Sequence, residues 1–123
     1  MRLSAATLIL WLLPLAAQED RDLQIHFRPG THSTTLHSAV VRATVDRYHL
    51  RARAGQVMQV RIDSAENNAE FDIAKPDGGY LRNAAIREGA TGWNGKLPLS
   101  GEYVIEVGST RGNADYTLKV SIR

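Results

Sequence analysis

From residue 23 onward, apolar and polar side chains alternate with a period of two. Leu23, Ile25 and Phe27 are separated by Gln24, His26 and Arg28, which places the apolar residues on one face of a strand. Pro29-Gly30 ends that run. A second strand is predicted over Thr34–Val41, with Leu36 and Val40 on one face. A third over Asp46–Ala52 aligns Tyr48, Leu50 and Ala52, and Ala54-Gly55-Gln56 forms the next turn. Met58, Val60 and Ile62 then alternate with Gln59, Arg61 and Asp63. The polar stretch Ser64–Asn68 reads as a solvated loop. Phe71 and Ile73 mark a short strand, stopped by Pro76-Asp77-Gly78-Gly79. Asn83–Glu88 is compatible with a helical turn between close glycines. Three more strands follow: one around Trp93–Leu97, one over Glu102–Val107, and one over Tyr116–Ile122 with Tyr116, Leu118, Val120 and Ile122 in phase.

About eight short strands at regular spacing, each closed by turn residues, predict an all-β fold, an antiparallel β-sandwich in which two sheets bury their apolar faces together. Tyr48, Tyr103 and Tyr116 fall at inward positions and are expected in the core, whereas Tyr80, beside Gly79, is expected at the surface.

The first residues depart from this pattern. Arg2 precedes the apolar run Leu8–Leu13, Pro14 follows, and Ala16-Ala17 gives way to Gln18-Glu19-Asp20-Arg21-Asp22. A basic start, a short apolar centre and a small-residue end describe a secretory signal over residues 1–17. The apolar run is shorter than the about 20 residues a bilayer span needs. No Cys follows it to carry a lipid, so no stable membrane anchor is expected. A cut after Ala17 leaves residues 18–123 as a single domain, large enough for one core. Without Cys, no disulfide staples that domain, and a periplasmic or secreted bacterial location is expected. The formal net charge is +2, with both signs spread along the chain, which does not point to nucleic acid. Oligomeric state is not legible at this level.

Candidate chemistry is sparse. There is no Gly-x-Ser-x-Gly elbow and no Cys, so a nucleophile–base pair has no sequence support. His26, His32, His37 and His49 form no compact ligand motif, although His26 and His37 would be neighbours if their strands paired. The oxygen-rich run Asp63–Asn68 lacks the glycine and terminal glutamate of an EF-hand loop. No cofactor or metal is expected, and the chain reads as a non-enzyme. The segment Gly108–Asp115 stands out because it is longer than a minimal hairpin needs. Its central Arg111 carries a planar fork of donors suited to a carboxylate on a partner.

Four segments resemble the bacterial pre-peptidase C-terminal type of sandwich: Val45–Leu50, Ala54–Val60, Phe71–Gly78 and Leu97–Tyr103. Three features bring the chain nearer to the periplasmic inhibitors of g-type lysozyme. They are Ile25–Ser33, the turn Leu97-Pro98-Leu99-Ser100-Gly101-Glu102-Tyr103, and the closing pair of segments Thr110–Ala114 and Tyr116–Ile122. The resemblance covers nearly all of residues 23–123. It implies an exported protein that occludes a g-type lysozyme, its protein partner, by inserting loop residues into a carboxylate-lined cleft. On that resemblance Arg111, Thr110, Asn113 and Tyr48 are the contact residues. The final loop is shorter than in the family, without its second arginine, and Tyr48 is what remains of a tyrosine-rich stretch. The alternative is a pre-peptidase-like module that binds cell-wall glycan or an envelope protein, with Tyr80 or Trp93 stacking on a sugar.

Overall fold

The alternating segments form eight strands: β1 (Arg21–Gln24), β2 (Ser33–Val40), β3 (Val45–Ala52), β4 (Val57–Asp63), β5 (Ala69–Ala74), β6 (Gly92–Lys96), β7 (Gly101–Ser109) and β8 (Ala114–Ile122). The computed structural model describes residues 19–81 and 90–123, so the expected leader (1–17) and the helical turn at Asn83–Glu88 lie outside the described residues.

The strands form two four-stranded sheets, in the orders β1-β3-β7-β5 and β2-β8-β4-β6. Odd-numbered strands make one sheet and even-numbered strands the other, so every connection crosses between layers. Each strand delivers its apolar face to the space between the sheets. β3 contributes Tyr48, Leu50 and Ala52, β7 contributes Tyr103, Ile105 and Val107, and β5 contributes Phe71 and Ile73. From the other side come Met58, Val60 and Ile62 of β4 and Leu118, Val120 and Ile122 of β8. Register places these residues directly opposite one another, as in Leu50↔Tyr103, Ile73↔Ile105 and Ile62↔Leu118. Burial of such cross-strand pairs is the main stabilising contribution in a sandwich.

The antiparallel expectation holds for every named pairing except β1 with β3, which run parallel. Parallel neighbours need a crossover between them, and β2, which lies in the opposite sheet, supplies it. The first strand is also shorter than its alternation implies. After Ile25, whose N–H bonds the His49 carbonyl at 2.9 Å, the chain turns at Pro29-Gly30, with Gly30 at φ +78°. His26 and His37 are therefore not on paired strands: the chain enters β2 in the other sheet.

One inward position of β3 is not apolar. Asp46, 1 % exposed, continues the Tyr48–Leu50 phase. Its two oxygens accept from Arg21 Nε at 2.8 Å and Nη2 at 2.7 Å, and Tyr116 Oη donates to it at 2.8 Å. The Tyr48 and Tyr116 hydroxyls lie 2.5 Å apart, with their rings edge to face. Arg21 also donates to Ser38 Oγ and the Ala39 carbonyl of β2, so one guanidinium ties both sheets together. The Asp46 carboxylate raises the pKa of Arg21, and burial, reinforced by these hydrogen bonds, keeps Tyr116 protonated far above the ordinary phenol range.

Candidate functional site

Three connections meet at one end of the sandwich: β2–β3 (residues 41–44), β4–β5 (64–68) and β7–β8 (110–113). Each contains a residue in the left-handed region, Ala43 (φ 63°), Asn67 (φ 50°) and Gly112 (φ 58°). For Ala43 that conformation costs about 1–2 kcal/mol, so the surrounding contacts hold the turn against its own preference. Those contacts include Thr44, whose N–H and Oγ1 both bond the Val41 carbonyl, at 3.0 and 2.8 Å. Ala43 and Asn67 are, among the described residues, the non-glycine residues at positive φ, and both lie in this cluster, a placement that accompanies functional surfaces.

The β7–β8 connection is not a hairpin. β7 and β8 lie in different sheets, and the strands extend to Ser109 and from Ala114, leaving four residues to cross the gap. The bridge is held from below by Asn68, which is 2 % exposed. Asn68 Nδ2 donates to the carbonyls of Arg111 at 3.1 Å and Asn113 at 3.0 Å, and the Asn68 carbonyl accepts the Thr110 N–H at 2.9 Å. Ser109 Oγ shares its single proton between the Arg111 and Gly112 carbonyls, at 2.8 and 2.6 Å, and accepts the Arg111 N–H. Asn113 Oδ1 accepts the Arg42 N–H at 2.8 Å, linking this bridge to the β2–β3 turn. The Arg111 guanidinium donates to the Glu66 carbonyl, linking it to the β4–β5 loop.

Of the four contact residues read from the sequence, three stand together here: Thr110, Arg111 and Asn113 are exposed on one rigid bridge. The fourth does not. Tyr48 is 4 % exposed, with its hydroxyl against Tyr116 in the core, so its expected core role is met and its surface role is corrected. The alternative's stacking residues are also separated. Tyr80, 52 % exposed, reaches toward Glu106 on β7, whereas Trp93 faces Val60 on β4 and packs against the core from the other sheet. They form no common platform.

Sequence reasoning missed the bracing residues. Asn68 belongs to a loop read as solvated, yet it is buried. No local signal marks it, since the carbonyls its amide serves lie 43 and 45 residues along the chain. Arg42 was also missed, because nothing in the sequence brings residue 42 beside residue 113.

Beside the cluster, a shallow hollow of about 510 Å³ is lined by His37, Asp63, Asp115 and Thr117 among others. His37 Nδ1 lies 3.0 Å from Thr117 Oγ1. This pair sits on the outer face of the β2–β8 ladder, where strand N–H groups point sideways to their partners and not outward at a reacting oxyanion. Among the described residues, no group of three or more His, Asp or Glu is placed to hold a metal ion. The geometry offers an electrostatic and steric surface.

No protein-family model matches the chain, and no curated protein matches it by sequence. Solved structures do. The periplasmic inhibitor of g-type lysozyme from Aeromonas hydrophila superposes with a TM-score of 0.69 at 28% identity, covering 86% of this chain and 100% of that one. The corresponding inhibitor from Salmonella Typhimurium gives 0.66 at 23% identity, covering 84% and 98%. The pre-peptidase C-terminal domain of a Bacillus anthracis collagenase gives 0.58 at 11% identity, covering 87% and 99%, a likeness of fold alone. In architecture and in the extent of the match, this chain is similar to the periplasmic inhibitors of g-type lysozyme, on a sandwich shared with the pre-peptidase C-terminal domain.

Proposed function

We propose that this protein is an exported, non-enzymatic inhibitor of a g-type lysozyme. In this reading it acts in the periplasm or outside the cell and blocks the lysozyme cleft with the β7–β8 bridge. One observation carries the reading: Arg111 stands exposed on a four-residue bridge whose backbone is fixed by the buried Asn68. The solved inhibitors that share the fold support it. An arginine held by its own backbone gives up little further freedom on binding, and its planar fork matches a carboxylate. Its present acceptor, the Glu66 carbonyl, is neutral and is exchanged for an anion on docking. Thr110 and Asn113 flank it, and the structure adds the exposed Arg42 as a neighbouring cation.

The test is a lysis assay in which the purified protein is titrated against g-type, c-type and i-type lysozymes. Selective protection from the g-type enzyme is expected. Arg111→Ala should weaken it at least tenfold, equivalent to about 1.4 kcal/mol. Unchanged potency in that variant would remove the bridge from the contact surface.

A second reading rests on the outer face of the β2-β8-β4-β6 sheet. There Thr35, Gln59, Arg61, Trp93, Asn94 and Lys119 line an open hollow of about 620 Å³, so one of the two stacking candidates lies in it. An indole beside polar side chains suits a sugar, whose ring stacks and whose hydroxyls accept and donate, and retention on peptidoglycan without lysozyme inhibition is the outcome that selects it.

A further inference from the structure

The end of the sandwich remote from the loop cluster has a different charge pattern. The β1–β2 connection, the β3–β4 turn, the β6–β7 connection and the last residue all emerge there. They carry Arg28, Arg53 and Arg123, with Lys96 closing β6 and Arg51 next to the end of β3, all five exposed. Among the described residues, none of these five cations takes part in an ion pair. The carboxylates near them are already engaged, Asp77 with Lys75 at 3.7 Å and Glu102 with His49 at 2.8 Å. The opposite end mixes its signs, with Arg42 and Arg111 among Asp63, Glu66 and Asp115.

Apolar groups sit inside this ring of cations. Val57 is 39% exposed. Lys96 pairs with it on one side, and Arg123 exchanges backbone hydrogen bonds with it on the other, at 2.9 and 3.0 Å. Pro29, Ala54 and Pro98 are exposed at the tips of the three connections. Between Arg51 and Arg53 lies a hollow of about 420 Å³, which Gln56 and Ser100 also line. It is large enough for a phosphate group.

We propose that this end docks on an anionic bilayer, its cations against lipid phosphates and its apolar tips at the headgroup boundary. A soluble polyanion would need the cations alone. The apolar tips within the cationic ring match a surface that is anionic outside and apolar just beneath, and long Lys and Arg side chains reach past such tips to the phosphates. Each basic residue near an anionic leaflet contributes attraction that decays within a Debye length. This proposal stands apart from the inhibitor reading, because the two surfaces are at opposite ends of the molecule.

Cosedimentation of the purified protein with phosphatidylcholine vesicles, with and without phosphatidylglycerol, tests it. Binding to the phosphatidylglycerol vesicles, released by salt, is expected. The combined variant Arg53→Ala, Lys96→Ala, Arg123→Ala should lower the partition coefficient about a hundredfold, at about 1 kcal/mol per removed charge. Arg111→Ala should leave it unchanged. Equal binding to pure phosphatidylcholine overturns the proposal, as does insensitivity of the wild-type protein to salt. Retention by soluble polyphosphate with none on the vesicles overturns the bilayer as the occupant.

Discussion

The brace beneath the β7–β8 bridge makes a sharp quantitative test. Asn68→Ala removes two donated hydrogen bonds, to the carbonyls of Arg111 and Asn113. The Asn68 carbonyl and its contact with Thr110 belong to the backbone and remain. The Arg111 carbonyl keeps a share of the Ser109 hydroxyl proton, at 2.8 Å, so one of the two losses is partly cushioned. At roughly 1 kcal/mol per hydrogen bond, with a larger penalty where a carbonyl is left unpaired, the cost is about 2 kcal/mol. Asn68→Asp is more severe. It places a carboxylate where two carbonyl oxygens expect a donor, in a site only 2 % exposed, and about 3–4 kcal/mol is expected. Urea unfolding measures the global loss. Amide exchange at Thr110 and Arg111 measures the local one, which should be about thirtyfold faster in Asn68→Ala if 2 kcal/mol is lost. Inhibition should also weaken, although Arg111 itself is intact, because the bridge must then be ordered on binding. The reasoning is refuted if Asn68→Ala unfolds within 0.5 kcal/mol of wild type, about the level of an ordinary surface substitution, with exchange unchanged at both amides.

Two further outcomes follow from the packing. His49 is clamped between Asp22 (Nε2, 2.8 Å) and Glu102 (Nδ1, 2.8 Å), which raises its pKa above the ordinary 6.5, chiefly through the hydrogen bond to Asp22 and then that to Glu102. The folded state therefore holds the proton more tightly than the unfolded chain. The clamp's contribution is complete below pH 6.5 and is lost as pH rises through the folded-state value. The Tm should fall over that interval, and His49→Gln should flatten the profile; a wild-type curve no steeper than the variant's would count against the clamp. In the core, Tyr116→Phe leaves the Tyr48 hydroxyl without its partner and removes one donor from Asp46, costing about 1–3 kcal/mol. Tyr48→Phe combined with it should cost less than the sum of the two, and strictly additive unfolding energies would show that the hydroxyls are not coupled.

Periodicity was enough to place most of the strands. Met58, Val60 and Ile62 in one phase and Leu118, Val120 and Ile122 in another are local statements, and the folded chain buries all six. A buried carboxylate was also within reach, since Asp46 shares the phase of Tyr48 and Leu50, but its half-exposed partner Arg21 lies 25 residues away and nothing local names it. The same limit governs the candidate site. Arg111 stood out from its own loop, whereas Asn68 and Arg42, which fix and flank it, come from other connections.

What the sequence by itself determined is which face of each segment is apolar, where the turns fall, and which loop carries an unusual arginine. Tertiary structure alone decided that neighbouring segments never pair, that the final loop bridges two sheets, and that Arg28, Arg51, Arg53, Lys96 and Arg123 gather at one end. The reason is physical. Alternation records a segment's preference between water and the interior, a one-body property, whereas pairing and juxtaposition depend on two segments at once and are settled only when both faces are buried together.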